Sequence, residues 1–268
     1  SVFLRTYGCN FKCAGFGKAQ GQLSTEADAV AEKIELYKTF QELPLVTTGC
    51  DSYASWHPAF KHLSPTLSTE ELVSQMLALT PNNKWIQGNG NDVHLVITGG
   101  EPLLGWQRAY RELLSHPDML SLRNLTFETN GTQEISEDFG DFLIEWQKPA
   151  IGMPKTNEVT FSVSAKLPCS GEAWEDAIKP EIVCAYEDVG TTYLKFVVAT
   201  EQDFADVECA IGAYRAAGFK GHIYLMPVGG VESVYTLNNR TVAELAMSNG
   251  LRYSDRLQVP LFKNEWGT

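Results

Sequence analysis

The chain has 268 residues, 44% of them hydrophobic, and a formal net charge of -12. That length suits one large α/β domain covering residues 1–268, and the acidity excludes a binder of phosphate backbones, which needs clustered Lys and Arg. No apolar run reaches the roughly eighteen residues of a membrane-spanning helix, so a soluble, cytoplasmic protein with small-molecule partners, and with neither nucleic acid nor membrane as partner, is expected.

Ser1 leads straight into a strand pattern with no initiator Met, so an N-terminal piece of the natural protein is expected to precede it. Val2 to Tyr7 alternates apolar and polar side chains as a half-buried strand does, and runs into Gly8-Cys9. From Thr25 to Phe40 the apolar residues Ala29, Val30, Ile34, Tyr37 and Phe40 recur at helical steps behind Ser24 or Thr25 as N-cap, which predicts a short amphipathic helix. Leu67-Ser68-Thr69-Glu70-Glu71 begins another, running to about Leu79 before Pro81.

Asp92 to Thr98 reads as a buried strand, and strand-like runs recur at Asn124–Thr129, Glu158–Ser164, Thr192–Thr200 and His222–Met226. Helical patterns fall between most of them, at Trp106–Ser115, Glu137–Gln147, Phe204–Ala217 and Arg240–Ser248. Six strands alternating with helices predict a parallel sheet whose chemistry gathers at the carboxyl ends of the strands.

Six cysteines stand at positions 9, 13, 50, 169, 184 and 209, crowded early and then scattered. A disulfide-stapled secreted domain would not space them so, and metal ligation by a subset is expected. Cys9 and Cys13, closing Gly8-Cys9-Asn10-Phe11-Lys12-Cys13, can aim two thiolates at one metal or be two unrelated buried thiols. Ile97-Thr98-Gly99-Gly100-Glu101-Pro102 closes a hydrophobic strand. Its glycines let the chain pass close to a ligand, and Glu101 is expected at the mouth of the sheet; taken alone, the segment is also an ordinary strand-to-helix turn. Cys169, Cys184 and Cys209 have no ligand spacing, and the five histidines form no metal-binding pair. Trp56 and Trp85 read as packing residues.

Together, the cysteine pair and the Gly-Gly-Glu-Pro segment resemble the radical S-adenosylmethionine superfamily. In that superfamily a CxxxCxxC loop after the first strand holds a [4Fe-4S] cluster, and Gly-Gly-Glu-Pro binds the methionyl amine. Here the position three after Cys13 is Phe16. Thr48-Gly49-Cys50-Asp51-Ser52-Tyr53-Ala54 supplies the third cysteine, in a setting similar to that of the 7-carboxy-7-deazaguanine synthases. Residues 14–49 are then an insertion of 49 − 13 = 36 residues, which adds little closure entropy because that cost grows only with the logarithm of length.

The resemblance extends through Phe127-Glu128-Thr129-Asn130-Gly131-Thr132, Phe161-Ser162-Val163-Ser164-Ala165-Lys166, the strands around Lys195 and Met226, and the tail from Gly250 to Gln258. It implies a partial (βα)6 TIM-like barrel of the radical S-adenosylmethionine type. It also implies Cys9, Cys13 and Cys50 on the cluster, and Asp51, Gly99, Gly100, Glu101, Thr129, Asn130, Ser162, Ser164 and Lys166 around S-adenosylmethionine. Ser52 would hold Mg²⁺, whose hard character suits a hydroxyl, and Arg5 and Thr98 would contact substrate. Read singly, Glu128 is also a loop cap, Lys166 a solvated amine, and Arg252 with Arg256 one face of an exposed terminus.

The reaction so implied converts 6-carboxy-5,6,7,8-tetrahydropterin to 7-carboxy-7-deazaguanine, a step of queuosine-type deazapurine synthesis, with the difficult chemistry left to the cofactors. A flavodoxin- or ferredoxin-like electron donor and a homodimer are further expectations. Two alternatives stand beside it: an activase of glycyl-radical enzymes on the same scaffold, and a cluster-less binding protein, which Phe16 favours.

Overall fold

The computed structural model describes residues 1–149 and 156–267. Seven strands form one all-parallel sheet in sequence order: β1 (Val2–Thr6), β2 (His94–Gly99), β3 (Asn124–Thr129), β4 (Glu158–Val163), β5 (Thr191–Val198), β6 (Ile223–Pro227) and β7 (Arg252–Tyr253). Parallel neighbours in chain order need crossover connections. These carry α2 (Thr69–Ala78) after the short insertion helix α1 (Glu26–Ala31), then α3 (Gln107–Leu114) and α4 (Glu137–Trp146). Next come α5 (Trp174–Ala177), α6 (Pro180–Glu187), α7 (Glu201–Ala216), α8 (Glu232–Ser248) and, after β7, α9 (Gln258–Phe262). Among the described residues no helix is long and apolar enough to cross a membrane.

The main core lies between the sheet's outer face and the helices. On β5, Leu194, Phe196 and Val198 are fully buried while Tyr193, Lys195 and Val197 between them face a cavity, the period-two division expected of a strand with two different faces. Phe127 on β3 and Phe161 on β4 are register partners and stack at 5.6 Å, and Phe161 stacks on Tyr186 of α6 at 4.8 Å. The inner face is polar: Arg5 pairs with Thr98, Glu128 with Ser162, and Ser162 with Tyr193 in register.

Several expected elements differ in extent. The helix predicted over Thr25–Phe40 is α1 alone, followed by 3-10 turns at Ile34–Leu36 and Phe40–Glu42. A short isolated helix gains little from its own hydrogen bonds. Ile34, Tyr37 and Phe40 pack instead into a small second core with Tyr53, Phe60 and Trp266, where Phe40 and Trp266 meet edge to face at 5.6 Å. Ser68 caps α2 in a full capping box with Glu71. Helix α8 starts at Glu232, a turn or more before the expected Arg240, and α5, α6 and β7 were not anticipated.

Candidate functional site

A cavity of about 1310 Å³ opens at the carboxyl ends of β1 to β6. Cys9, Cys13 and Cys50 lie along one side of it, and they share a small apolar cluster with Phe11, Phe16 and Ala177. Each reaches that place differently. Cys9 follows β1 through Gly8, whose carbonyl accepts from Glu101 N at 2.7 Å. Cys13 has a left-handed backbone, φ 50°, held by Glu172 Oε1, which accepts from Lys12 N at 2.9 Å and Cys13 N at 2.6 Å. Cys50 returns at the far end of the insertion, where Gly49 N donates to Phe16 O at 2.7 Å.

Burial pushes all three thiols up, Cys50 to about 11 and Cys13 well above the ordinary thiol range, while the Lys166 ammonium pulls each of them down. Thiols so placed stay protonated until a cation displaces the protons. Donors for sulfur are at hand. Phe11 N donates to Cys9 Sγ at 3.4 Å. The Trp56 indole N–H is buried without an acceptor, short of a proper hydrogen bond to Cys50 but near enough to lower its thiol. Among the described residues no three His, Cys, Asp or Glu side chains converge on a single ion. A cubane does not ask for that, because each thiolate binds a different iron, so the three cysteines and their idle donor fit a cluster.

The Gly99-Gly100 segment closes on this loop. A Cβ at Gly100 would lie 2.1 Å from Gly8 O and 3.1 Å from Cys9 Cβ, and one at Gly99, with φ +117°, would lie 2.2 Å from Thr6 O. The glycines therefore admit the cysteine-bearing backbone itself. Glu101 differs from its expected place at the sheet mouth. It is fully buried, with Oε1 accepting from Leu103 N at 3.0 Å and Thr129 Oγ1 at 2.7 Å, and Oε2 from Asn130 N at 2.6 Å. Burial raises its carboxyl, and those donors partly offset the rise. Glu101 thus holds Thr129 and Asn130 at the cavity wall and presents no free oxygen there.

Ser164 and Lys166 line the cavity, with Lys166 Nζ donating to Ser164 Oγ at 3.0 Å. Ser162 is fully buried behind that wall, its hydroxyl without a partner. Arg5 and Thr98 line the cavity floor, and Arg5 Nη1 donates to Ser52 Oγ at 3.3 Å.

Curated relatives named 7-carboxy-7-deazaguanine synthase match along most of the chain. The protein of Halobacterium salinarum is 28% identical over 98% of this chain and 83% of its own. That of Pyrobaculum aerophilum is 26% identical over 84% of each, and that of Rhodopirellula baltica 24% over all of this chain and 81% of its own. The chain is a homologue of the 7-carboxy-7-deazaguanine synthases. No family model matches it. The solved structure of Streptococcus suis SuiB superimposes with a TM-score of 0.51 at 12% identity, covering 95% of this chain and 48% of SuiB. The chain spans about half of SuiB, and that likeness is one of fold: a partial parallel α/β barrel.

Several residues to which the sequence assigned no role stand at the site of this synthase homologue. Arg256 is ion-paired with Asp51 across most of the chain, and its Nε is buried without a partner. Burial raises the Asp51 carboxyl, and the Arg256 guanidinium, with smaller help from Arg5 and the Ser52 hydroxyl, brings it below its usual value. Glu128 meets Lys195 at 3.4 Å on the cavity floor, again with burial outweighed by the neighbouring cation. Glu172, which grips the Cys13 backbone, lies in a loop with no distinguishing motif.

The Ser52 hydroxyl accepts from Arg5 and donates to Asp51 Oδ1 at 3.3 Å, and that carboxylate is already neutralised by Arg256. Two guanidinium groups beside one committed carboxylate do not make a divalent-cation site. The protein side chains at Ser52 do not fit Mg²⁺, and no step is derived through it.

Proposed function

We propose that the chain is a cytoplasmic 7-carboxy-7-deazaguanine synthase, a lyase that contracts the ring of 6-carboxy-5,6,7,8-tetrahydropterin with loss of ammonia. The observation that carries this reading is the convergence of Cys9, Cys13 and Cys50 on one wall of a cavity whose floor presents Arg5, Thr98, Glu128 and Lys195. The names of the relatives support the substrate.

Cys9, Cys13 and Cys50 would hold a [4Fe-4S] cluster with one iron free of protein ligands. Together with S-adenosylmethionine, such a cluster would supply the radical chemistry needed for hydrogen abstraction. The rest falls to side chains of this chain. Thr129, Asn130, Ser164 and Lys166 offer hydroxyls, an amide and an ammonium to the amino acid and ribose of S-adenosylmethionine. The Arg5 guanidinium would take the substrate carboxylate, to which it is a bidentate match. Glu128, kept ionised by Lys195, can accept from the paired N–H groups of the aminopyrimidinone edge. The apolar neighbours Phe11 and Phe16 shield the cluster wall from water.

Anaerobic reconstitution should give a brown protein with about four irons per chain, and carboxytetrahydropterin, S-adenosylmethionine and a reductant should yield deazaguanine product. S-adenosylmethionine cleavage without that product would overturn the substrate assignment in favour of an activase. A parent protein that takes up no iron would leave the cluster-less binding protein.

A further inference from the structure

The insertion closes on itself through one carboxylate. Glu26 Oε2 accepts from Thr47 N at 2.7 Å, and Glu26 Oε1 accepts from Thr47 Oγ1 at 2.7 Å, Thr48 N at 3.1 Å and Thr48 Oγ1 at 2.6 Å. Ser24 completes the contact: its Oγ donates to Thr48 O at 3.2 Å and lies 2.7 Å from Thr48 Oγ1, whose single proton serves the Glu26 carboxylate. The two ends of the insertion are then tied backbone to backbone, Ser24 N to Ala14 O at 2.7 Å and Gly49 N to Phe16 O at 2.7 Å. Gly49 has φ +80°, and a Cβ there would meet Ser24 Cβ at 3.1 Å, so the two arms pack in close contact.

We propose that Glu26 is a positioning residue for the third cluster ligand: it clasps residues 24–26 to 47–48, so that Gly49 and Cys50 return beside Ala14 and Cys13. This rests on the cluster reading above. A chain with Phe16 where a cysteine is needed must bring its third thiol from a distance. Residues 32–46 have no comparable tie to the cysteine loop; Phe40 and Val46 pack toward Tyr53 and Trp266 instead. Once the clasp is shut, the path from Cys13 to Cys50 is short in space. Ala14 and Gly49 then stand where two spacer residues stand in a CxxC ligand pair. Glu26 is suited to the task because one carboxylate accepts several donors at once, and charge-assisted bonds are about twice as strong as neutral ones. The carboxyl is held below its usual range despite partial burial, because the Thr47 and Thr48 donors favour its ionised form.

The test compares the parent with Glu26→Ala and with Thr48→Val, a milder change that removes one hydroxyl and keeps bulk. Amide hydrogen exchange of the cluster-free proteins reads the clasp without the cluster. Iron content and the rate of cluster loss to a chelator read its consequence. Exchange at Thr47, Thr48 and Gly49 should rise about tenfold or more in Glu26→Ala, the factor set by losing a hydrogen bond to a charged group, with a smaller rise in Thr48→Val. Cluster loss should accelerate in the same order, with Cys9 and Cys13 untouched. A parent that holds iron beside a Glu26→Ala protein that holds it equally long overturns the clasp, as does unchanged exchange at Thr47 to Gly49. A parent that exchanges as expected yet takes up no iron overturns the cluster reading, and with it the positioning role of Glu26 toward a cluster ligand.

Discussion

Glu101 Oε2 lies 2.6 Å from the amide nitrogen of Asn130, so one buried carboxylate joins the end of the second strand to the end of the third. Its other oxygen takes Thr129 Oγ1 and Leu103 N. Glu101→Ala would strand buried donors, each at a cost of about 1–3 kcal/mol. Unfolding of the cluster-free protein in urea should therefore show a loss of at least about 2 kcal/mol. A variant as stable as the parent but weak in S-adenosylmethionine binding would return the carboxylate to a ligand-contacting role.

Gly100 poses a steric counterpart. A Cβ there meets Gly8 O at 2.1 Å, backbone that cannot swing aside as a side chain would. Gly100→Ala should push the Cys9 loop off the second strand, destabilise the protein by about 1–3 kcal/mol, and cut iron uptake. Gly105 has φ +79° but no heavy atom within 4 Å of its virtual Cβ. Gly105→Ala therefore strains one backbone position only and should leave iron content as it was. Equal iron in both variants would mean that the glycine pair does not shape the cluster loop.

Much of this was legible in the sequence, and the rest was hidden for identifiable reasons. Alternation located the first strand and a buried apolar run the second, and the remaining four of the first six were legible as strand-like runs spaced between helical patterns. The third thiol was legible only through Asp51, Ser52, Tyr53 and Ala54 after it. Glu26 and Thr48 were not legible as partners, since they are 22 apart with no periodic relation. Arg256 read as an exposed terminus because its partner, Asp51, is 205 residues away. For Glu101, a carboxylate after two glycines suggests a ligand contact, and only the fold reveals the three donors it already accepts from. The helix Pro180–Glu187 did leave a signal, a proline at its first position.

Trp56 should tune the cluster once it is loaded. Its indole N–H is buried beside Cys50 with no acceptor, and N–H donors to cluster sulfurs favour the more negative, reduced state. Trp56→Phe keeps an aromatic ring for contact with His57, now at 5.6 Å. The reduction potential, followed by electron paramagnetic resonance during a titration, should move to more negative values with iron content unchanged. An unchanged potential would reduce Trp56 to packing.

Lys195 and Glu128 give the pH-dependent prediction. Burial pushes the Glu128 carboxyl up, and the Lys195 ammonium, with smaller help from the Thr98 hydroxyl and the Arg5 guanidinium, brings it below its usual value. The stabilisation from this pair is present above the unfolded carboxylate value, about 4.3, and is lost as pH falls through the lower folded value. Lys195→Met removes the main cation and leaves burial in charge, so the carboxyl should rise and Glu128 should protonate at higher pH. A protonated carboxyl cannot accept two N–H groups together. Pterin affinity should then fall on the acid side at a pH where the parent still binds, and the stability gap between the two proteins should narrow as the solution is acidified. Binding titrations across the acid range decide it: coincident acid limbs for parent and Lys195→Met would mean that Lys195 does not govern the charge of Glu128.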